Sequence, residues 1–454
     1  MTEKLKLFLE GIKGKRITVI GIGVSNLPLI KFLAQNGAIV TACDRREEDE
    51  LANERAQLRK YPITYHLGDN YLDGIDADII FKTPGMRFDT PALVEARERG
   101  SLVTSEMEVF FDLCPAKIIA VTGSDGKTTT TTLIAQMLQR EGRTVWVGGN
   151  IGKPLLGEIE QIKDSDMVVL ELSSFQLHTM KASPSIAVVT NLSPNHLDMH
   201  KDMDEYVAAK KNIFLYQKQG DRLVLNYDND ITRGFASEAV NPPVFFSRKA
   251  ALQDGVFLKD GTIYYGDEAV LRASEIRIPG LHNVENYMAA IGALWGLVSP
   301  DTIRAVAREF GGVEHRIEFV RELDGIKFYN DSIASSPTRA SAGLHSFDQK
   351  VILIAGGYDK HIPFDSFGYV LKECVKSLFL IGVTAPKIRK AALDAGMDEN
   401  AITMCGTLAD ATQKAYDAAR AGDVVMLSPA CASFDMFKNF AVRGEAFKQL
   451  VNAL

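Results

Sequence analysis

Residues 117–129, Lys-Ile-Ile-Ala-Val-Thr-Gly-Ser-Asp-Gly-Lys-Thr-Thr, set a lysine and two threonines directly behind a glycine turn. The apolar run before the turn reads as a buried strand. Beyond it Leu133, Ile134, Met137 and Leu138 recur at helical spacing. A strand that enters a glycine turn and leaves as a helix aims backbone N–H groups at one point, which favours a phosphate. Gly123, Ser124, Asp125, Gly126, Lys127, Thr128 and Thr129 are therefore candidate nucleotide-binding residues. Lys127 would reach the β- and γ-phosphates, and Thr128 would offer its hydroxyl to Mg²⁺. A strict Walker A loop needs Gly where Val121 stands, so this is the shortened T-G-x-x-G-K-T form. No N-K-x-D motif follows, so nothing indicates guanine.

Two further segments carry metal-ligating types. Val168-Val-Leu-Glu-Leu172 is an apolar strand with the Glu171 carboxylate near its end. Alone it reads as a solvated strand end, but beside a phosphate loop it falls at the sheet edge where ligands bind. Asn195-His-Leu-Asp-Met-His200 follows the next strand, and its two histidines and aspartate suggest metal or phosphate chemistry. A helix over 204–216 then carries Lys210 and Lys211 on different faces. A free lysine, with an ordinary pKa of about 10.4, cannot ligate Mg²⁺. Lys210 is thus either a bystander or a carbamate, whose oxygens suit a hard cation.

The N-terminal turn Gly21-Ile-Gly-Val-Ser-Asn26 approaches G-x-G-x-x-G, and Asp44 lies where dinucleotide folds place a ribose acid. Alone this supports an NAD-dependent oxidoreductase. Against it, Asn26 replaces the third glycine, and Arg45-Arg46 after the acid offers cations to a phosphate-rich ligand.

These residues need sheets to hold them. The chain has 454 residues, which at about 150 per domain predicts three domains. Short β-branched runs alternate with helical patterns throughout, the mark of α/β architecture with mainly parallel sheets. The predicted fold is a Rossmann-like N-terminal domain (1–107), a central P-loop mononucleotide-binding ATPase domain (108–312) and a Rossmann-like C-terminal domain (313–454). Strands are expected at 117–121, 144–148, 167–172 and 186–191, hairpins over 222–278 and around Leu323-Asp-Gly325, and helices at 283–297 and 435–452. Lys plus Arg is 51 and Asp plus Glu 58, a net charge of −7, which gives no global attraction to nucleic acid or an anionic membrane. Five scattered cysteines without C-x-x-C argue for a reducing compartment and against a disulfide framework or zinc. The charge-interrupted opening segment and the lack of a spanning apolar run point to a cytoplasmic protein.

The motifs together resemble the Mur ligase family, ATP-dependent amide ligases that build the peptidoglycan stem peptide. They run T-G-S-D-G-K-T, G-G-N-I-G at Gly148–Gly152, E-L-S-S-F-Q-L from Glu171, N-H-L-D-M-H from Asn195 and A-A-K ending at Lys210. H-N-V-E-N at His282–Asn286, E-H-R at Glu314–Arg316, N-D-S at Asn330–Ser332, G-G-Y-D-K at Gly356–Lys360 and S-P-A-C-A-S-F-D-M-F-K-N-F-A-V-R-G at Ser428–Gly444 complete the series. The last motif looks like that of the D-glutamate-adding branch. The resemblance implies ATP and two Mg²⁺ ions, with UDP-N-acetylmuramoyl-L-alanine and D-glutamate as substrates, and a monomer. It implies that Lys127, Glu171, His196 and Lys210 are catalytic. Thr128 and Glu171 would serve one ion; a carbamylated Lys210 with His196 and Glu171 would hold the other. Asn150, Asn283, Asn286, Arg316 and Asp331 would surround the nucleotide. Gly23, Val24, Ser25, Asp44, Arg45, Arg46, Thr83, Pro84 and Gly85 would take the uridine portion, and Lys360, Ser433, Phe440 and Ser335 the amino acid. A diaminopimelate- or lysine-adding ligase is the nearest alternative, though the D-N-P-R motif of the diaminopimelate enzymes is absent. Two positions depart from the family. Ile333 stands where many members carry Lys, leaving Lys360 or Arg339 to compensate, and Ser124-Asp125 stands where Thr-Asn is usual. Cys431 reads as packing rather than nucleophile, since no partner base accompanies it.

Overall fold

The computed structural model describes residues 2–23, 25–193, 200–360 and 362–454. The chain divides into two compact units: Met1–Ala273 with Glu285–Val306, and Ser274–Val284 with Ala307–Leu454. No helix among the described residues is long and apolar enough to cross a membrane.

The first unit holds two sheets. Five strands, β1 (Arg16–Ile20), β2 (Ile39–Asp44), β3 (Ile63–Leu67), β4 (Ile79–Phe81) and β5 (Leu102–Thr104), form an all-parallel sheet in the order β3-β2-β1-β4-β5. The order reverses at β1, between β2 and β4, and such a switch point opens a crevice at the carboxyl ends of the strands. The second sheet comprises β6 (Lys117–Thr122), β7 (Val145–Gly149), β8 (Met167–Glu171), β9 (Ile186–Val189), β10 (Arg222–Asn226), β11 (Val244–Ser247), β12 (Gly255–Lys259), β13 (Thr262–Tyr265) and β14 (Glu268–Arg272). Its order is β14-β13-β12-β11-β10-β9-β6-β8-β7. β8 and β9 are buried along their whole length and β6 in all but its first residue, as strands covered on both faces require. The register pairs Val121 with Glu171 and Thr122 with Val189, so the glycine loop, Glu171 and Thr190 meet at one sheet edge. One apolar cluster joins both sheets of this unit, from Leu29 and Phe81 through Phe110 and Leu156 to Tyr206 and Phe214.

The second unit is built on β15 (Glu318–Leu323), β16 (Ile326–Asn330), β17 (Val351–Gly356), β18 (Val375–Ile381), β19 (Ile402–Met404) and β20 (Val424–Leu427), in the order β15-β16-β20-β17-β18-β19. Only β15 is antiparallel. Both expected hairpin turns occur: Asp260-Gly261 and Asp324-Gly325 all have positive φ, the conformation a two-residue turn between twisted strands needs.

Helix ends differ from the sequence reading. The helix expected at 204–216 is Met203–Lys211, beyond which the chain continues in tighter turns, with Ile213 N donating to Lys210 O and Phe214 N to Lys211 O. The helix expected from 435 begins at Phe440, where Asn439 accepts from Val442 N and caps it. The helix placed at 283–297 is Leu281–Leu294.

Candidate active site

Helix Lys127–Arg140 starts from Gly126, which sits in the left-handed region at φ 79°. A Cβ there would stand 2.3 Å from Asn286 Oδ1, and one on Gly123 would stand 2.0 Å from Thr190 Oγ1. Only glycine allows this approach. Asn286 Oδ1 also accepts from Thr130 Oγ1 at 3.3 Å, so the predicted nucleotide-side asparagine lies against the loop. Lys127 Nζ folds onto the loop carbonyls, 3.1 Å from Gly123 O and 2.9 Å from Ser124 O. The unusual Ser124 is anchored: its Oγ lies 2.9 Å from Tyr206 Oη and donates to Ser193 O. Asp125 is exposed, and its N–H donates to Asn191 Oδ1. Thr129 is buried and Thr128 half-buried.

Glu171 is 2 % exposed at the end of β8. Asn150, expected beside the nucleotide, reaches the metal candidate: its Nδ2 donates to Glu171 Oε1 at 2.8 Å and its backbone N–H to Glu171 O at 2.8 Å. The other carboxylate oxygen, Oε2, is buried with no hydrogen-bond partner among the described residues. A buried carboxylate with one oxygen fixed and one open is suited to a hard divalent cation. Lys210 is 1 % exposed, and its Nζ donates to Thr122 Oγ1 at 2.9 Å. Burial pushes its pKa well below the ordinary lysine value; Lys127 adds to that, and Glu171 opposes it. Burial therefore disfavours the charged form of this amine. Lys211, one residue on, points away to Glu238. His196 and the rest of 194–199 lie outside the described residues, as does Val24.

Glu205, on the helix that carries Lys210, is a hub to which none of the motifs points. It accepts from both terminal nitrogens of Arg87 at 3.2 and 3.0 Å and from Lys201 N at 2.7 Å. His178 and His200 face it at 3.6 and 3.5 Å. Hydrogen bonding from Arg87 holds its carboxyl down at about 2 against the opposing effect of burial. His200, predicted to serve metal or phosphate, is buried on Ser174 Oγ at 2.9 Å and stacks on Phe175.

At the N-terminal turn Asp44 Oδ2 accepts from Ile22 N at 2.7 Å, and Oδ1 from the backbone N and Nε of Arg46. Arg46 also donates to Ile22 O and Glu54. Asp44 thus fixes the turn and Arg46 relative to each other. Asn26, in place of the third glycine, is buried and donates to Ile20 O. Gly21 packs against Thr83. Gly23, Ser25, Pro84 and Gly85 surround the same strand ends, while Arg45 is exposed.

In the second unit Asp331 follows β16 and is 4 % exposed. It accepts from Ser428 Oγ at 2.7 Å and Ile317 N at 3.3 Å, and burial pushes its carboxyl up to about 7. Arg316 stands between His315 and Ile317, both at positive φ, a costly backbone for a β-branched residue. Asn283 is buried and donates to Pro279 O. Ser433 is buried; Ser335 is half-buried; Lys360 and Phe440 are exposed. Cys431 is buried 3.1 Å from Thr384 Oγ1, and burial pushes its thiol up to about 11, which fits packing.

Similarity to known proteins covers the whole chain. Residues 15–105 match the MurD-like N-terminal domain of Mur ligases, 121–294 the Mur ligase middle domain, and 315–431 the Mur ligase glutamate ligase domain. The chain belongs to the Mur ligase family. A UDP-N-acetylmuramoylalanine–D-glutamate ligase of Acetivibrio thermocellus is 58 % identical over 100 % of both chains. Proteins of the same name from Ruminiclostridium cellulolyticum and Clostridium botulinum are each 53 % identical over 100 % of both. Among solved structures, a UDP-N-acetylmuramate-alanine ligase of Thermotoga maritima aligns with TM-score 0.60 at 20 % identity, covering 97 % of this chain and 99 % of that one, a likeness of fold.

Membership of the Mur ligases removes the oxidoreductase reading of the N-terminal turn. It also sharpens the departure at Ile333. Besides Arg339, whose charge acts on Asp331, the fold brings Arg443 to that corner, and Arg443 is fully buried. Its Nε donates to Ser332 Oγ at 3.0 Å, Nη2 to Ser332 O and Cys431 O at 2.8 and 3.1 Å, and Nη1 to Ala432 O at 3.1 Å. The spacing of the R-G pair in the last motif is the only sequence signal for it.

Proposed function

We propose that this Mur ligase joins D-glutamate to UDP-N-acetylmuramoyl-L-alanine at the expense of ATP, with residues 1–107 taking the uridine substrate, 108–312 ATP and 313–454 the amino acid. The observation that carries the reading is the pairing of a buried Lys210, whose charged form burial disfavours, with a half-engaged Glu171 beside the phosphate loop. The names of relatives above half identity support the choice of amino acid.

In this reading the L-alanine carboxylate attacks the γ-phosphorus, the bond to the β-phosphate oxygen breaks, and ADP leaves an acyl phosphate. The D-glutamate amine adds to the acyl carbon, loses a proton, and phosphate departs. Such chemistry is positioning and charge neutralisation rather than covalent catalysis. Backbone N–H groups from Gly123 to Thr129 cradle the phosphates, and Lys127 leaves its loop carbonyls for the transferred group. Lys210 Nζ adds to CO₂ with loss of a proton, giving a carbamate. Thr128, Glu171, His196 and that carbamate are the residues that hold Mg²⁺. When bound, the metal neutralises phosphate charge. Asn150 fixes the Glu171 carboxylate. Asn283, Asn286, Arg316 and Asp331 flank the nucleotide; Gly23, Val24, Ser25, Asp44, Arg45, Arg46, Thr83, Pro84 and Gly85 take the uridine portion. Lys360, Ser335, Ser433 and Phe440 take D-glutamate, with Arg443 fixing the segments that bear the last three.

The test is phosphate release with ATP, Mg²⁺ and UDP-N-acetylmuramoyl-L-alanine against D- and L-amino acids. D-Glutamate alone should support turnover; turnover with diaminopimelate or lysine and none with D-glutamate would overturn the assignment. Lys210→Ala should abolish activity and small carboxylates should partly restore it.

A further inference from the structure

The first unit contains a buried cation that the mechanism above does not use. Lys82 directly follows β4 and is 3 % exposed. Its Nζ makes one long contact, 3.5 Å to Met86 O. Among the described residues no carboxylate stands within ion-pair distance of it. Glu108, which acts on it at longer range, is engaged by Ser105 Oγ at 2.8 Å. Burial accordingly lowers the Lys82 pKa. An ammonium group removed from water with so few acceptors is costly, and an anionic ligand would offset that cost.

Its position says which anion. Lys82 lines a cleft with Ser25, Asn26, Pro84, Gly149 and Gln176. Ser25 precedes the helix Asn26–Gln35, whose first two N–H groups already donate to Gly23 O and whose third residue is Pro28, which leaves the Lys82 ammonium as the cation at this end of the cleft. β4 lies beside β1 at the switch point of the first sheet, whereas Gly149 ends β7 next to Glu171. The cleft therefore runs from the uridine-side turn toward the phosphate-transfer site within one unit. The substrate's terminal carboxylate must reach Lys127 and Glu171 at β6 and β8. The anion left for the β1–β4 end is the diphosphate.

We propose that Lys82 binds the diphosphate of the uridine-linked substrate. This rests on the reading that the unit accepts a UDP-linked substrate. A point charge on a flexible stem suits a diphosphate, which presents oxygens in several directions. The side chain thus adds affinity for every uridine diphosphate and none for uridine.

The experiment is calorimetric titration of the wild-type chain and of Lys82→Met, Lys82→Gln and Lys82→Arg with UDP-N-acetylmuramoyl-L-alanine, UDP and uridine. The two neutral variants guard against one failing to fold, and melting curves identify the folded ones. Both diphosphates should bind the neutral variants at least tenfold more weakly, with uridine unchanged and Lys82→Arg within threefold of wild type. The neutral variants should melt no lower than wild type, because a poorly paired buried charge has been removed. UDP affinity unchanged in Lys82→Met overturns the proposal. A loss confined to the alanyl substrate moves the contact to its carboxylate and equally overturns it. Failure of the wild-type chain to bind either diphosphate overturns the substrate reading itself, which the variants' behaviour cannot mimic.

Discussion

Arg443 offers the sharpest test of how the second unit of this ligase is held together. Its guanidinium is fully buried and ties together three segments that are distant in sequence: Ser332 after β16, Cys431–Ala432 after β20, and the first turn of helix Phe440–Ala453. Replacing it by Met keeps most of the stem and removes every donor. Ala432 O retains the N–H of Tyr358 and Ser332 Oγ retains Phe440 O. The carbonyls of Ser332 and Cys431 lose these bonds. Two stranded buried acceptors at about 1–3 kcal/mol each give about 2–6 kcal/mol. Against this stands the relief of desolvating a cation with no hydrogen-bonded carboxylate, several kcal/mol of opposite sign. The net is expected at the lower end, about 2 kcal/mol. A lysine side chain would keep the charge but not the planar fork, so Arg443→Lys should be no more stable than Arg443→Met. Hydrogen exchange read on peptides covering 428–436 reports the local opening, and about 2 kcal/mol corresponds to roughly 30-fold faster exchange at about 1.4 kcal/mol per decade. The KM for D-glutamate should rise in both variants while that for ATP holds. Wild-type exchange in Arg443→Lys would refute the fork argument, and wild-type exchange in Arg443→Met would refute the clamp altogether.

Gly126→Ala puts a Cβ against Asn286 and a side chain in the left-handed region, worth about 1–2 kcal/mol of backbone strain alone; titration with a non-hydrolysable ATP analogue should show at least tenfold weaker binding. Glu205, held at about 2 instead of 4.5, contributes stability that is complete above its ordinary value and lost as pH falls through about 2, at most about 3 kcal/mol. Glu205→Gln should remove that acid-side slope in denaturant titrations at pH 3 and pH 7. Asp331 has the opposite sign: with its carboxyl raised from 3.8 to about 7, its contribution is full below 3.8 and lost as pH rises through about 7, up to about 4 kcal/mol. Asp331→Asn should therefore flatten the stability profile between pH 4 and pH 8.

The parts of the site legible in the sequence are those built from neighbours in the chain. Strand β6, the glycine loop and the helix behind it follow from contiguous residues, because a loop that cradles phosphate is a local backbone object. The hairpins at Asp260-Gly261 and Asp324-Gly325 are legible for the same reason, since their turn chemistry is complete within two residues. Helix ends depart from the sequence pattern where a cap such as Asn439 decides them.

What the sequence alone determined is the α/β class, the three-part plan, the nucleotide loop and, through an ordered set of motifs, the family. Which groups meet could be decided only by tertiary structure. Helical period separates the faces of Lys210 and Lys211, yet nothing in the period says that one is sealed against Thr122 and the other paired with Glu238. The pairing of Asn150 with Glu171, the hub at Glu205 and the burial of Lys82 and Arg443 likewise join residues far apart in the chain. The reason is physical: the charge state and reach of a side chain depend on the water and dipoles around it, and parallel strands separated by long crossovers set those surroundings.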